Sequence, residues 1–318
     1  MKICVVGCGR WGSLIAWYLD RIGHGVTLFG RASSSHMQRF IKERKNDLLT
    51  LPDSVSLTTD IADIDKSDVI VISIASQSLR SFLEGLREIE LRDKIIVLCM
   101  KGIEIDTTKR LSEIADEMLD PSCKVAVWLG PGHVQEFYAG IPNCMVLDSK
   151  CEEVKSLLVD EFSSDLIRFY YGTDIVGNEI GAAAKNVVGI AAGILDGLGL
   201  STLKGALMSR GTREVAKLIK AMGGNELSAY GLCHLGDYEA TVFSKFSHNR
   251  SFGEAFVKGE EYTSLAEGYY TVCAMIRLSE KYDVELPICR AVYEILYNGK
   301  SASQTINELF HRSFKKEF

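Results

Sequence analysis

The segment Gly7-Cys8-Gly9-Arg10-Trp11-Gly12 restricts the possible folds of this chain more than any other part of its sequence. It follows an apolar run, Lys2–Val6, and precedes a stretch, Ser13–Ile22, whose apolar residues recur at helical spacing. A Gly-x-Gly-x-x-Gly sequence between a strand and a helix is typical of dinucleotide binding. The first glycine permits a tight turn, the second lets backbone approach a pyrophosphate, and the third lets the helix pack on the strand. The helix N-terminus then offers free N–H groups to the phosphates. We therefore expect a dinucleotide here; a glycine-rich turn without a ligand is the alternative.

The first half of the chain alternates between apolar runs and helical stretches. Several runs are continuously apolar, as expected of strands buried on both faces of a sheet. This alternation predicts a parallel, doubly wound Rossmann-type sheet covered by helices. The predicted strands are Lys2–Val6, Gly25–Phe29, Asp68–Ile74, Lys94–Met100, Lys124–Leu129 and Asn143–Leu147, with helices at Ser13–Ile22 and Thr108–Leu119.

The second half has helical periodicity and little strand pattern after Gly172. Helical stretches include Val215–Met222, Leu265–Tyr282 and Ala291–Leu296. The 318 residues also suit two domains, at ~100–200 residues each. We predict an α/β part followed by an all-α part, with a Rossmann domain over residues 1–175 and an all-helical substrate-binding and catalytic domain over residues 176–318. The tail that ends in Lys315–Phe318 is expected to be a solvated end.

Composition excludes several classes of protein. A net charge of −6 argues against a nucleic-acid binder. No apolar run approaches the ~18 residues of a membrane span, and the N-terminus lacks the long apolar core of a signal peptide. The nine cysteines form no Cys-x-x-Cys pair, and no His-Glu-x-x-His sequence occurs. We therefore expect a soluble cytoplasmic protein without a metal site or a disulfide framework.

The residues after the second predicted strand bear on the choice of dinucleotide. NAD-dependent enzymes often carry Asp or Glu at this point to bind the ribose hydroxyls. This chain has Arg31 followed by Ser33-Ser34-Ser35, a cation and hydroxyls that suit the 2′-phosphate of NADP. We therefore predict a preference for NADP(H), with NAD(H) possible; a solvated surface arginine is the alternative interpretation.

Glycines and a lysine follow two of the predicted strands. Lys101-Gly102-Ile103-Glu104 comes after one strand, and Gly130-Pro131-Gly132-His133 comes after the next. Ligands of open α/β sheets bind beyond the carboxyl ends of the strands, and glycines there let backbone come close to a ligand. Lys101 is therefore either a point charge for a ligand or a solvated loop lysine.

Lys185 lies in an unusually apolar setting, within the segment EIGAAAKNVVGIAAGILDG at residues 179–197. On a helix it shares its face with small or apolar residues, namely Gly181, Ala182, Val188 and Gly189. These cannot pair with the ammonium group, but they leave room for something to approach it. Since an unpaired buried lysine is costly, the side chain either reaches solvent or has a partner. The functional interpretation is a lysine of lowered pKa that transfers protons.

With these motifs the chain resembles the NAD(P)-dependent glycerol-3-phosphate dehydrogenases over nearly its whole length. The densest part of the resemblance is Glu179–Gly199, in which Lys185 matches a catalytic lysine that is followed by asparagine. The other ordered matches are Gly9–Gly12, Lys101–Glu104, Gly130-Pro131, Ser209–Gly211, Gly236-Asp237, Ser247–Arg250 with Phe252-Gly253, Glu267-Gly268 and Glu285–Ile288.

The resemblance implies the interconversion of dihydroxyacetone phosphate and sn-glycerol 3-phosphate, which supplies phospholipid synthesis, with Lys185 as general acid and base. It also implies that Asp237 pairs with Lys185, and it makes a homodimer an expectation. The implied substrate-binding residues are Lys101, Gly130, Gly132, Asn186, Asp237, Thr241, Ser247, His248 and Asn249. The implied cofactor-binding residues are Gly7, Gly9, Arg10, Trp11, Gly12, Arg31, Lys101, Val134, His248, Leu265 and Glu267.

Two positions depart from the family pattern. The family usually has Ser-Arg-Asn-Arg where this chain has Ser247-His248-Asn249-Arg250, and its arginine grips the substrate phosphate. Histidine lacks a bidentate fork and is largely neutral at pH 7, so either Arg250 or another cation compensates, or phosphate binding is weakened. Gly132 also stands where Ser or Thr is common. These departures keep two alternatives open: a related two-domain dehydrogenase for another small hydroxy or keto acid, and a non-catalytic NADP-binding regulator.

Overall fold

Eight strands form one sheet in the N-terminal half of the protein, whose computed structural model describes residues 1–89 and 91–313. The predicted tail at Lys315–Phe318 lies outside these residues. The spatial order of the strands is β3-β2-β1-β4-β5-β6-β7-β8. Their bounds are β1 Lys2–Val6, β2 Gly25–Phe29, β3 Ser56–Thr58, β4 Val69–Ile72, β5 Ile95–Leu98, β6 Lys124–Leu129, β7 Asn143–Ser149 and β8 Ile167–Tyr171.

The prediction of a wholly parallel sheet is wrong at one edge. Strands β1 to β6 are parallel to one another, but β7 pairs antiparallel with β6, so that Leu129 lies opposite Val146. Antiparallel neighbours need no crossover connection, and the short helix between these two strands, Val134–Tyr138, packs against the helix Arg10–Arg21. The pattern also missed β3, which has three residues, and β8, an edge strand in which exposed residues such as Arg168 and Tyr170 alternate with buried ones.

Helices alternate with the strands and then continue alone after β8. Their bounds are α1 Arg10–Arg21, α2 Ser35–Glu43, α3 Leu79–Gly85, α4 Leu111–Met118, α5 Val134–Tyr138, α6 Glu152–Phe162, α7 Ile175–Gly197, α8 Lys204–Ala221, α9 His248–Lys258, α10 Glu267–Lys281, α11 Pro287–Tyr297 and α12 Ala302–Phe310. The predicted order of an α/β part and a helical part is confirmed. The predicted helix at Thr108 begins later, because Thr108 has a φ of 59° and cannot continue a right-handed helix.

Three buried cores hold these layers together. Alternate residues of β1 point to opposite faces of the sheet, so Ile3 and Val5 join one core and Cys4 and Val6 join another. The third core surrounds α7, which packs against α8, α9, α10 and α11. The sheet is therefore covered on both faces, and α7 forms the centre of the helical part.

The small residues of α7 serve close packing between helices. A Cβ atom on Gly193 would lie 1.9 Å from the Arg250 carbonyl oxygen, and one on Gly253 would lie 2.2 Å from the Ile190 carbonyl oxygen. The glycines therefore let α7 and α9 approach with their backbones almost in contact. By length and composition α7 could span a membrane, but 83% of its most apolar window is buried inside the protein. We therefore assign α7 as a core helix.

Candidate active site

The carboxyl edge of the sheet meets the helical part of the protein at Lys101. This residue follows β5, and its Nζ donates to the Gly130 carbonyl oxygen at 2.6 Å and to Asp237 Oδ2 at 2.6 Å. Gly130 follows β6, so groups after two neighbouring strands contact each other. Asp237 comes from the helical part and is almost completely buried. The predicted ligand edge of the sheet and the helical part thus form one site.

Lys185 is buried and paired rather than directed to solvent. Its Nζ lies 2.9 Å from Asp237 Oδ2 and donates to Thr241 Oγ1 at 2.8 Å. The expected Lys185–Asp237 pair is therefore present. Asp237 lies in a 3₁₀ turn at Leu235–Asp237, and Thr241 lies in the π-helical turn Glu239–Phe243, a rare element that is frequent at functional sites.

The surroundings of Lys185 lower its pKa to about 8. Burial is the main cause, because it disfavours the charged form; the carboxylate of Asp237 partly opposes it, and the positive charge of Lys101 lowers the pKa further. With such a pKa, Lys185 changes protonation close to neutral pH. It can therefore both donate and accept a proton.

The space that the small residues beside Lys185 leave is filled by protein. A Cβ on Gly189 would lie 2.7 Å from Thr241 Cγ2 and 3.2 Å from Asn249 Cβ, and one on Gly181 would lie 3.0 Å from His234 Cβ. The expectation that this space admits an approaching ligand is therefore wrong for these two positions. The glycines instead bring hydrogen-bonding side chains of the helical part close to Lys185.

Two asparagines connect the helix that carries Lys185 to the rest of the site. Asn186 Nδ2 donates to the Lys101 carbonyl oxygen at 3.0 Å, and Asn249 Nδ2 donates to Asn186 Oδ1 at 3.0 Å. Asn249 Oδ1 in turn accepts from the Gly268 backbone at 2.9 Å. Elements α7, α9 and α10 are thereby held against the loop that follows β5. One oxygen of Asp237, Oδ1, is buried without a hydrogen-bond partner among the described residues and can accept from a bound ligand.

His234 holds the loop that carries Asp237 and was not identified from the sequence. Its Nδ1 donates to the Gly181 carbonyl oxygen at 2.8 Å, and its Nε2 accepts from the Tyr238 hydroxyl at 2.8 Å. Burial lowers its pKa to about 4, so the ring is neutral at physiological pH. His234 therefore anchors the Asp237 turn to α7 without adding charge. No local pattern marks it, because its partner lies 53 residues away.

The glycines at the start of α1 fit a dinucleotide. Gly7 has a φ of 110°, and a Cβ there would lie 2.2 Å from the Ser73 carbonyl oxygen. A Cβ on Gly12 would lie 1.9 Å from the Gly7 carbonyl oxygen, so this glycine lets helix and strand meet. Gly9 precedes α1 and has open space where a Cβ would be. This open space beside free helix N–H groups suits a pyrophosphate.

The other residues expected at the cofactor lie in different settings. Arg31 follows β2 and is exposed, and Leu265 is 53% exposed. Trp11 packs edge-on against Phe137, with 5.9 Å between ring centroids, and Val134 is the buried first residue of α5.

Glu267 points at the sheet edge. Its carboxylate accepts from the Ser76 hydroxyl at 2.6 Å and from the Ser76 backbone N–H at 3.2 Å. Ser76 follows β4 and was missed from the sequence, although a polar residue after a buried strand is the same signal that singled out Lys101. This pair adds a third contact between the sheet edge and the helical part.

His248 begins α9, after the N-cap Ser247. It contacts Arg10 in the glycine-rich segment Gly7–Gly12, which we call the dinucleotide loop. Its Nε2 accepts from the guanidinium of Arg10, and its Nδ1 donates to the Tyr262 hydroxyl at 2.7 Å. Burial lowers the pKa of His248, and the positive charge of Arg10 lowers it further. Tyr262 lies in a loop without any distinguishing pattern and was not expected at the site.

The second departure, Gly132, has a steric explanation. Its φ is 138°, and a Cβ would lie 2.2 Å from the ring of Phe137. Glycine is therefore required while Phe137 fills this space. The next residue, His133, has its Nε2 buried without a hydrogen-bond partner among the described residues.

A glycine-rich dinucleotide loop on an α/β sheet, together with a buried lysine whose pKa is close to neutral in the helical part that follows, is the arrangement of a dinucleotide-dependent dehydrogenase. Sequence comparison narrows this class. The N-terminal model of the NAD-dependent glycerol-3-phosphate dehydrogenase family matches residues 2–155, and the C-terminal model matches residues 174–307. The chain belongs to this family.

Individual relatives agree with this membership. A glycerol-3-phosphate dehydrogenase (NAD(P)+) of Chlorobium phaeobacteroides is 38% identical over 336 residues, covering 100% of this chain and 99% of the relative. The corresponding protein of a Thermoanaerobacter species is 36% identical over the same share of both chains. The structure of a Coxiella burnetii glycerol-3-phosphate dehydrogenase covers 98% of this chain and 99% of its own, with a TM-score of 0.91 and 27% identity. A D-mandelate dehydrogenase in complex with NADH, at 16% identity and a TM-score of 0.64, shares the fold alone.

Proposed function

We propose that this protein interconverts dihydroxyacetone phosphate and sn-glycerol 3-phosphate with NAD(P)(H). The observation that carries the proposal is the buried Lys185, which pairs with Asp237 where the helical part meets the carboxyl edge of the sheet. The full-length relatives bear the name of this activity. We further propose that the product supplies phospholipid synthesis.

Lys185 donates the proton in the reduction and accepts it in the oxidation. When bound, the nicotinamide dinucleotide supplies or accepts the hydride at the substrate C2 atom. Reduction leaves negative charge on the C2 oxygen, to which protonated Lys185 donates its proton. In the reverse direction neutral Lys185 removes the hydroxyl proton. A pKa of about 8 makes both forms accessible near neutral pH.

The groups around Lys185 bind the substrate and determine the net charge of the site. Lys101 and Lys185 share one carboxylate, Asp237, so the trio keeps a positive charge that attracts a phosphorylated substrate while Lys185 is protonated. Lys101 stabilises the substrate oxygens electrostatically. Thr241 orients the Lys185 ammonium group through its hydrogen bond, and the free oxygen of Asp237 accepts from a substrate hydroxyl.

The preference for NADP(H) over NAD(H) is a separate proposal. Arg31 is exposed two residues after the end of β2, where a cation can meet the 2′-phosphate. We expect kcat/KM to be higher with NADPH than with NADH, and Arg31→Ser to reduce this ratio. If Arg31→Ser leaves the ratio of kcat/KM with NADPH to kcat/KM with NADH unchanged, Arg31 does not determine the cofactor preference.

A homodimer in the cytoplasm is also proposed. Apolar helical parts commonly pair in symmetric oligomers, and all nine cysteines are free, as suits a reducing compartment. Light scattering on the purified protein measures the mass directly. A monomer across the concentrations at which the enzyme is active would contradict the dimer.

Two observations argue against the alternative functions. A related dehydrogenase for another hydroxy or keto acid is disfavoured, because D-mandelate dehydrogenase resembles this chain in fold alone, whereas the glycerol-3-phosphate dehydrogenases resemble it in sequence over its full length. A non-catalytic NADP-binding regulator has no need of the trio of Lys101, Lys185 and Asp237, two of which are buried.

The decisive experiment follows loss of the reduced-nicotinamide absorbance with NADPH and dihydroxyacetone phosphate. We expect rapid oxidation by the wild type and a loss of roughly 10²–10⁴-fold in Lys185→Ala, since general acid catalysis contributes about this much. Lys155→Ala is a matched control, because Lys155 is also buried and pairs with Glu152 at 2.6 Å on α6, away from Lys185. Full activity of Lys185→Ala would refute the proposed role. A folded, NADPH-binding wild type without turnover would refute the substrate and direct the search to non-phosphorylated keto acids.

A further inference from the structure

The family usually has an arginine where this chain has His248. A different arginine, Arg10, contacts this histidine. Arg10 lies on the dinucleotide loop, 238 residues before His248, and its guanidinium donates to His248 Nε2. Both side chains are half-buried. The contact joins the first turn of α1 to the first turn of α9, one from each half of the protein.

We propose that Arg10 is the substrate-phosphate cation of this enzyme, supplied from the dinucleotide-binding half and positioned by His248. The inference rests on the proposed function, because it names the group that binds the phosphate of that substrate. It assigns Arg10 to the substrate, whereas the family resemblance placed it only at the cofactor.

The hydrogen bonds determine where the positive charge lies. A guanidinium only donates, so Nε2 of His248 is the acceptor and Nδ1 carries the proton that is donated to Tyr262. The ring is therefore neutral, and the charge of the pair resides on Arg10. His248 and Tyr262 hold the guanidinium in one orientation and leave its other N–H groups for a phosphate, which guanidinium recognises in bidentate geometry.

The pair is close to the proton-transfer group. Asn249, the residue after His248, donates to Asn186, the residue after Lys185. The ring of His133 packs against Phe246, two residues before His248, with 5.5 Å between ring centroids, and burial together with the positive charge of Lys185 lowers the pKa of this ring. A small substrate whose C2 oxygen lies at Lys185 can thus present its phosphate to Arg10.

Arg250, the other arginine near this position, is engaged elsewhere. Its guanidinium contacts Asp196 at 3.0 Å and Glu254 at 2.8 Å, and it donates to the Ser244 carbonyl oxygen at 3.1 Å. Two carboxylates already neutralise its charge and orient it towards α7 and its own helix. Arg250 therefore holds α9 in place, and the compensating cation is Arg10.

The test is a double-mutant cycle on the full-length enzyme with four proteins: wild type, Arg10→Ser, His248→Arg and the double variant Arg10→Ser/His248→Arg. KM is measured for dihydroxyacetone phosphate, kcat/KM for dihydroxyacetone, which has no phosphate, and Kd for NADPH by fluorescence. Arg10→Ser is expected to raise KM for dihydroxyacetone phosphate roughly 10–100-fold, as expected on losing hydrogen bonds to a charged group. The loss in kcat/KM is expected to be at least about 10-fold smaller with dihydroxyacetone than with dihydroxyacetone phosphate, since dihydroxyacetone makes no phosphate contact.

The double variant is the most informative of the four proteins, because His248→Arg returns the cation to the position that the family uses. We expect it to restore KM to within about 5-fold of the wild type, which loss of structure in Arg10→Ser would not allow. Arg21→Ser is the control: Arg21 is an exposed arginine at the other end of α1, so both KM and Kd remain unchanged.

Three outcomes overturn the inference. A raised Kd for NADPH with an unchanged KM for dihydroxyacetone phosphate would show that Arg10 serves the cofactor alone. Equal losses with dihydroxyacetone, or no rescue by the double variant, would show that Arg10 does not act through the phosphate. Failure of the proposed function is distinct, because the wild type would then not turn over dihydroxyacetone phosphate at all.

Discussion

Replacing Asp237 with asparagine removes the carboxylate that keeps Lys185 protonated. Its Oδ2 lies 2.9 Å from Lys185 Nζ and 2.6 Å from Lys101 Nζ. In the wild type the pKa of Lys185 is about 8, so this lysine is largely protonated at pH 7. After the substitution, burial and the positive charge of Lys101 both still favour the neutral form.

The size of the change follows from Coulomb's law. At the separation of these two groups an effective dielectric constant of about 20 gives an attraction of roughly 4–6 kcal/mol, or 3–4 pKa units. Water that enters the altered site and relaxation of Lys101 reduce this value. We therefore expect the pKa of Lys185 to fall by roughly 2 units, to about 6.

The pH profiles of both directions measure this shift. In the proposed mechanism the reduction of dihydroxyacetone phosphate uses protonated Lys185, so we expect kcat/KM of the wild type to fall as the pH rises through about 8. In Asp237→Asn we expect the same fall of kcat/KM at a pH roughly 2 units lower. Oxidation of glycerol 3-phosphate should begin at a correspondingly lower pH.

Two controls separate the shift of the pKa from a loss of substrate binding. Asp148→Asn alters another buried carboxylate, which accepts hydrogen bonds from the Asp174 backbone and from Asn178, and it should leave the midpoint near pH 8. A reduced rate in Asp237→Asn with an unchanged midpoint would refute the electrostatic reasoning and leave Asp237 as a binding residue only.

Two further predictions concern stability. Burial raises the pKa of Glu214 to about 7, so the folded state binds this proton more tightly than the unfolded state and loses roughly 3 kcal/mol of stability as the pH rises from about 4.5 to 7. Urea unfolding at several pH values should show a flatter pH dependence for Glu214→Gln; a dependence identical to the wild type would contradict this. Gly193→Ala places a Cβ 1.9 Å from the Arg250 carbonyl oxygen and should reduce the free energy of unfolding by about 1–3 kcal/mol, whereas Gly205→Ala, with nothing within 4 Å, should not reduce it. Equal stabilities of the two alanine variants would show that α7 and α9 can separate without cost.

Local patterns determined the order of elements and the dinucleotide loop. Strands β1, β2 and β6 have the predicted bounds, and Gly7 and Gly12 make the close contacts that the motif requires. These features depend on residues that are near one another in the chain, so hydrophobic periodicity and glycine spacing are sufficient to find them. Lys185 was found for the same reason, as a charge within an apolar helix.

The direction of β7 and the partners of the site were decided only by tertiary structure. The apolar pattern of β7 does not indicate its antiparallel direction, and Thr241 reaches Lys185 from 56 residues away. Arg10 and His248 are 238 residues apart, and although the family resemblance implied that both bind the cofactor, no sequence pattern indicated that they contact each other. Such contacts form because packing of the helical part against the sheet edge buries polar groups, and buried polar groups must find partners wherever the chain supplies them.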